Sequence, residues 1–283
     1  LIELRDPKQP LLRRLAQRAP GTYTHSITVA ALAESAADAV GADALHVYVG
    51  ALYHDIGKMN KPDYFVENQG GGFNRHTKLS PAMSLLVIVG HVKDGNEMAI
   101  EEGLPRSLRH YIESHHGTTL VEYFYHRAKE QAEENREDAP AEVGYRYPGP
   151  KPQTKEAAIL MLCDAVESAT RALAEPTPSR IESVVRTISL KRLMDGQFDE
   201  SDLTLRELQV MEDAVIKSLN SIYHGRIAYP GGPMTGEKDK TRTSAKTQPL
   251  PQAASNATPG MPPPATSAQS DPNIEKARRA AGA

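Results

Sequence analysis

Apolar positions along this chain recur at three- and four-residue intervals, and strand-like alternation in twos is absent, so the pattern predicts helices. A short helix is expected over residues 11–19, closed by Pro20-Gly21. Thr22 then reads as the N-cap of a helix running to about Val40 and stopped by Gly41, with an apolar stripe of Val29, Leu32, Ala33, Ala36 and Val40. His25 stands one turn before Val29 on that stripe. Asp43 caps the next expected helix, 44–56, whose inner face carries Val47, Gly50, Ala51 and His54. Residues 58–78, with Gly70-Gly71-Gly72, read as a loop. Ser80-Pro81 opens a helix to about Val92, and Pro105 opens one over 106–116. A long polar helix is expected over 118–137, a loop over 138–152, and three more helices over 154–174, 178–195 and 204–226. The reading is an all-α domain over 1–230.

Composition changes that picture at one end. Residues 232–283 are rich in Pro, Ser, Thr, Ala, Lys and Gln and nearly lack large apolar side chains, so 231–283 is expected to be a disordered tail. The 283 residues include 5% aromatics and no Trp, which predicts an aliphatic, Ala-rich core. A net charge of −3 points away from a nucleic-acid polymer as partner. The single cysteine, Cys163, excludes an internal disulfide and a Cys-rich zinc site, and suits a reducing compartment. The longest apolar stretch, 83–90, falls well short of the ~18–20 residues of a membrane span. Opening on Leu1, the chain is expected to be a piece of a longer protein.

The chemistry is carried by histidines and aspartates on apolar faces or at helix ends. His54-Asp55 closes a helix just before Gly57-Lys58. An imidazole beside a carboxylate suits a transition metal, and the carboxylate can bridge two ions; a polar helix terminus followed by a Gly stop has the same look. His25 and His91 lie in apolar surroundings, where a hydrogen-bonded core histidine is the plain alternative. His115-His116 ends a helix before Gly117. Asp164 lies within Leu160-Met161-Leu162-Cys163-Asp164-Ala165-Val166 and needs a partner, because an unpaired buried carboxylate costs several kcal/mol. Helical bundles build dimetal sites by converging such groups from several helices. His46, His76, His110, His126 and His224 have no partner pattern and are read as surface or structural.

The order His, His-Asp, His, His-His, Asp resembles the HD superfamily of metal-dependent phosphohydrolases. Further stretches narrow the resemblance: Pro10-Leu11-Leu12-Arg13-Arg14-Leu15, Ala19-Pro20-Gly21-Thr22-Tyr23, His54-Asp55-Ile56-Gly57-Lys58, Glu67-Asn68-Gln69, Gly90-His91-Val92-Lys93-Asp94-Gly95, His115-His116-Gly117-Thr118-Thr119 and Tyr147-Pro148-Gly149-Pro150-Lys151-Pro152-Gln153. Asp195-Gly196-Gln197-Phe198-Asp199-Glu200 and Arg226-Ile227-Ala228-Tyr229-Pro230 follow in order. Together they look like the cytosolic HD domain of the seven-transmembrane HD proteins, the PgpH-type cyclic di-AMP phosphodiesterases. Arg75 stands beside His76 where a Pro is expected. Gly-Thr-Thr follows His115-His116 in place of the HD-GYP pattern, which points away from cyclic di-GMP.

The resemblance implies an HD-domain helical bundle holding two divalent ions, Fe or Mn. His25, His54, Asp55 and Asp164 would hold the first, with Asp55 bridging, and His91, His115 and His116 the second; His116 could instead face substrate and protonate the leaving oxygen. The implied reaction is hydrolysis of cyclic di-AMP to linear pApA by a hydroxide activated between the ions. Lys58 and Lys93 are candidate phosphate contacts, with a solvated surface charge as the alternative for each. Tyr147, like Tyr145, is a candidate adenine contact or part of a packed loop, and the glycine run either a lid or a flexible loop. The implied setting is a cytoplasmic domain of a protein anchored in the inner or plasma membrane through a preceding region, and a homodimer is compatible with it. The alternatives are an HD phosphohydrolase acting on another nucleotide and a non-catalytic cyclic-dinucleotide sensor.

Overall fold

The computed structural model of the chain describes residues 1–70 and 74–224. The tail from 231, the 226–230 motif, most of the glycine run and the His224 side chain lie outside the described residues. Among the described residues the regular elements are all helical: α1 (Pro10–Arg18), α2 (Pro20–Val40), α3 (Ala44–Tyr53), α4 (Pro81–Glu101), α5 (Arg106–Ser114), α6 (Glu122–Asn135), α7 (Lys155–Arg171), α8 (Pro178–Met194) and α9 (Leu205–His224). Short 3-10 turns, including Ile56–Asn60, Pro62–Tyr64 and Val66–Asn68, fill the stretch after α3. No described helix is long and apolar enough to cross a membrane.

Several boundaries follow local chemistry. The Asp43, Ser80 and Thr154 side chains each accept a hydrogen bond from a backbone N–H in the first turn of the helix they open. Gly41 closes α2 in a left-handed conformation. Other boundaries differ from expectation, by two or three residues at the ends of α3, α5 and α7 and more tellingly at three places. Pro20-Gly21 opens α2 instead of closing α1, because a proline at the first helical position gives up only an N–H that has no helical partner. Thr22 is therefore inside the first turn, not its cap. α4 runs on to Glu101, and α6 starts only at Glu122, after residues 119–121 have bridged to a distant loop. There Val121 N–H donates to Tyr145 O and Tyr147 N–H to Thr119 O, a pairing with a distant loop that no local pattern announces.

α2 is the central helix, packing on α1, α3, α7 and α9. Its buried face is Val29, Ala30, Leu32, Ala33, Ala36 and Ala37, and small side chains there let neighbouring helices approach closely. In α7 every residue from Ala157 to Asp164 is buried. Two glycines set the approach of backbones beside the site. A Cβ on Gly57 would lie 1.9 Å from the carbonyl oxygen of His91, and one on Gly21 would lie 1.9 Å from that of Glu67. Gly57 thus seats the turn after α3 directly on α4, and Gly21 seats the Val66–Asn68 turn on α2.

Candidate metal centre

The start of α2, the ends of α3 and α5, the middle of α4 and the middle of α7 meet around the Asp55 carboxylate. His25 Nε2 and His54 Nε2 stand 3.5 and 3.3 Å from its Oδ2. His91 Nε2 and His115 Nε2 stand 3.3 and 3.5 Å from its Oδ1. Asp164 Oδ1 lies 3.0 Å from His25 Nε2 and 3.8 Å from His54 Nε2, while Asp164 Oδ2 lies 3.8 Å from His116 Nδ1. Two sets of donor atoms result, each mutually within 4.8 Å: His25, His54, Asp55 and Asp164, and Asp55, His91, His115 and His116. Asp55 belongs to both, presenting one oxygen to each.

The outer nitrogens fix the ring orientations. His54 Nδ1 lies 2.7 Å from Ala51 O, His91 Nδ1 2.6 Å from Ile88 O, and His115 Nδ1 2.9 Å from Ile112 O. A carbonyl can only accept, so each Nδ1 carries a proton and each Nε2 is the nitrogen turned inward, toward the Asp55 carboxylate. His25 differs: its Nδ1 lies 2.5 Å from Glu167 Oε2. Burial disfavours charge on His25 and His54, but the adjoining carboxylates outweigh it, raising His25 and lifting His54 to about 10. Asp55 and Asp164 are correspondingly held well below the ordinary carboxylate range, against burial, by Lys58 and His54 at Asp55 and by His25 and His54 at Asp164. His115 and His116 shift down: burial dominates, and for His116 the neighbouring His115 adds to it.

The donor set fits divalent metal ions. His25 Nε2, His54 Nε2 and both Asp55 oxygens are buried and lack a partner of hydrogen-bond geometry, although they crowd one another. Orphaned donors of this kind are costly unless a cation gathers them. Imidazole with carboxylate is a donor set for iron, manganese or zinc.

The other candidates divide. Lys58 is held inside the site, with Nζ 2.6 Å from Asp55 Oδ2 and 3.0 Å from Glu67 Oε1, over the Phe65 ring. Tyr147 stacks on His116, ring centres 4.3 Å apart, and His116 is the most open of the seven side chains at 21% exposure. Lys93 is not brought in: its side chain is 80% exposed and pairs with Glu97. It follows the buried His91 by two residues, about 200° around a helix, so it faces solvent and its expected phosphate contact has no geometric support. Among the remaining histidines, His46 bonds to the Tyr111 hydroxyl, and the buried His76 bonds to Tyr64 O.

The sequence reading missed Glu67, Glu167 and Gln197. Glu167 had a signal: it follows Asp164 by three residues in an apolar helix, hence shares its face. Glu67 had none beyond its motif. Its carboxylate takes hydrogen bonds from Lys58 and from the Thr22 hydroxyl, while Asn68 holds the Thr22 N–H and hydroxyl. Gln197 and Asp195, quoted only within a motif, form a brace. Arg146 donates to both Asp195 oxygens, and Gln197 Oε1 accepts from Thr118 N–H just beyond His115-His116.

A helical bundle that gathers five histidines and a second aspartate, Asp164, around the Asp55 carboxylate is the architecture of an HD domain. The chain belongs to the HD domain family, whose profile matches residues 22–169. Within the family it is 48% identical over 230 residues to the cyclic-di-AMP phosphodiesterase PgpH of Listeria monocytogenes serotype 1/2a (strain 10403S), covering 81% of this chain and 31% of that protein. It is 47% identical to the cyclic-di-AMP phosphodiesterase PgpH of Bacillus subtilis (strain 168), covering 81% of this chain and 32% of that one. The chain thus spans about a third of the length of these curated relatives. The crystal structure of the L. monocytogenes PgpH HD domain in complex with cyclic-di-AMP superposes with a TM-score of 0.73 at 47% identity, covering 77% of this chain and 100% of that one.

Proposed function

We propose that this chain is a dimetal phosphodiesterase domain that hydrolyses cyclic di-AMP to linear pApA. The observation that carries the reading is Asp55, with one oxygen facing each of two His-rich donor sets, in a chain 47% identical to an HD domain crystallised with cyclic-di-AMP. Divalent ions, Fe or Mn, would supply Lewis acidity and a water of lowered pKa at the scissile phosphate.

The chain's own residues do the rest. His25, His54, Asp55 and Asp164 form one cradle, and His91, His115 and His116 with Asp55 the other. Burial opposes charge on Lys58, but Asp55 and Glu67 raise its pKa, so it stays cationic and offers its ammonium to phosphoryl oxygens. His116, kept neutral by burial, serves as a lone-pair donor better than as an acid. Tyr147 covers His116, and burial keeps its phenol protonated, so it presents an O–H and an aromatic edge to a nucleotide. In the intact protein this domain is cytoplasmic and follows a membrane anchor, which fractionation of the full-length protein would test.

The test is turnover by anaerobically purified, Mn-loaded protein offered cyclic di-AMP, cyclic di-GMP and nucleoside monophosphates, with products separated by chromatography. Linear pApA from cyclic di-AMP is expected. Asp55→Ala is expected to lose metal and turnover together; normal turnover in that variant would sink the site. Tight binding without turnover by fully loaded protein would favour a sensor.

A further inference from the structure

The two donor sets around Asp55 are not equivalent. His54, His91 and His115 each direct Nδ1 at a main-chain carbonyl 2.6–2.9 Å away. His25 instead directs Nδ1 at a carboxylate, Glu167 Oε2, at 2.5 Å. That contact joins residues 142 positions apart and is buried, with Glu167 Oε1 turned to Arg171 at 3.3 Å. The set containing His25 also holds Asp164. The other set has three imidazoles and only the shared Asp55, and the His116 imidazole at its edge is the most exposed of the seven. Lys58, on the Oδ2 side of Asp55, offsets part of the negative charge on the His25 side and is itself paired with Glu67.

We propose that Glu167 is a positioning residue that orients and polarises His25, making the His25–His54–Asp55–Asp164 set the tighter of two unequal metal sites, filled before its neighbour. The physical basis is twofold. A carboxylate behind an imidazole makes the facing nitrogen a stronger donor than a carbonyl does, and such outer partners are worth about 10- to 100-fold in metal affinity. A set with two carboxylates also attracts a divalent cation more strongly than one with a single shared carboxylate. This inference rests on the two-ion reading of the centre.

The experiment is titration of metal-free protein with Mn²⁺, following free aqueous Mn²⁺ by electron paramagnetic resonance, with circular dichroism melts to verify folding. Wild type is expected to take up two ions in separable steps. Glu167→Gln is expected to weaken the tighter step by about 10- to 100-fold and leave the weaker one in place. His116→Ala is expected to weaken only the second step. Glu167→Asp keeps the charge but withdraws the oxygen from Nδ1, and a selective loss is expected there too, so the proposal stays testable if the Gln variant does not fold. Two ions bound with equal affinity in wild type, or a tighter step unchanged in folded Glu167 variants, would overturn it. Uptake of fewer than two ions by wild type would instead refute the two-ion reading, which separates the two failures.

Discussion

At the scale of single residues, the centre depends on atoms that leave no room for others. Gly57 follows Asp55 by two residues, and its missing Cβ is where the His91 carbonyl and the Gly95 backbone sit, at 1.9 and 2.5 Å. Backbone cannot step aside as a flexible side chain can. Overpacking of this kind costs about 1–3 kcal/mol or more. Gly57→Ala is therefore expected to lower the melting temperature by roughly 5–10 °C, at about 2–4 °C per kcal/mol, and to displace Asp55 from His91. A calorimetric scan with a metal-content assay checks both; an unchanged melt with full metal would show that the turn and α4 separate easily. Lys58 gives the complementary lesson: its role depends on the buried Asp55 and Glu67 carboxylates beside it.

At the scale of elements, helix ends deliver the chemistry and braces hold the ends in place. α5 stops at Ser114, and the turn carrying His115 and His116 is tied through Thr118 to Gln197 and Asp195 at the end of α8. Asp195 binds Arg146, whose neighbour Tyr147 lies on His116. The Arg146 hydrogen bonds, aided by Gln197 and opposed by burial, hold Asp195 below its ordinary carboxylate range. A depressed carboxylate stabilises the fold above its unfolded pKa and loses that contribution as pH falls through the lower folded value. Asp195→Asn is thus expected to lower stability at pH 7 by about 1–2 kcal/mol, allowing for the partial exposure of the pair. The gap to wild type is expected to close progressively below about pH 4. Thermal melts across pH check the sign; a gap that widens in acid would show that the brace does not depend on the Asp195 charge.

At the scale of the whole molecule, metal binding at this centre would be coupled to folding. The unfolded chain cannot hold together donors taken from residues 25, 54, 55, 91, 115, 116 and 164, so an ion that uses them would bind the native state almost alone. At a free concentration about 100 times the dissociation constant, one ion adds about 2.7 kcal/mol. Chelation is expected to lower the melting temperature by roughly 5–10 °C per strongly held ion, and Mn²⁺ to restore it in a concentration-dependent way. A melt indifferent to chelator would mean that the donors are satisfied without a cation.

The sequence by itself determined the helices, some of their caps and the order of the His and Asp donors, because these depend on neighbours within a few residues and on short motifs. Asp43, Ser80, Thr154 and Gly41 could be read from local spacing. So could the apolar setting of Asp164, which demanded a partner without naming one. Tertiary structure alone decided that the partners are His25 and His54, that Asp55 divides its oxygens between two donor sets, and that Lys58 lies inside while Lys93 lies outside. It also decided that Glu167 lies behind His25 and that residues 119–121 pair with the 145–147 loop instead of lengthening α6. The physical reason is range: a helix end is set by hydrogen bonds to near neighbours, whereas burial, charge pairing and shared coordination arise only when packing joins residues far apart in the chain.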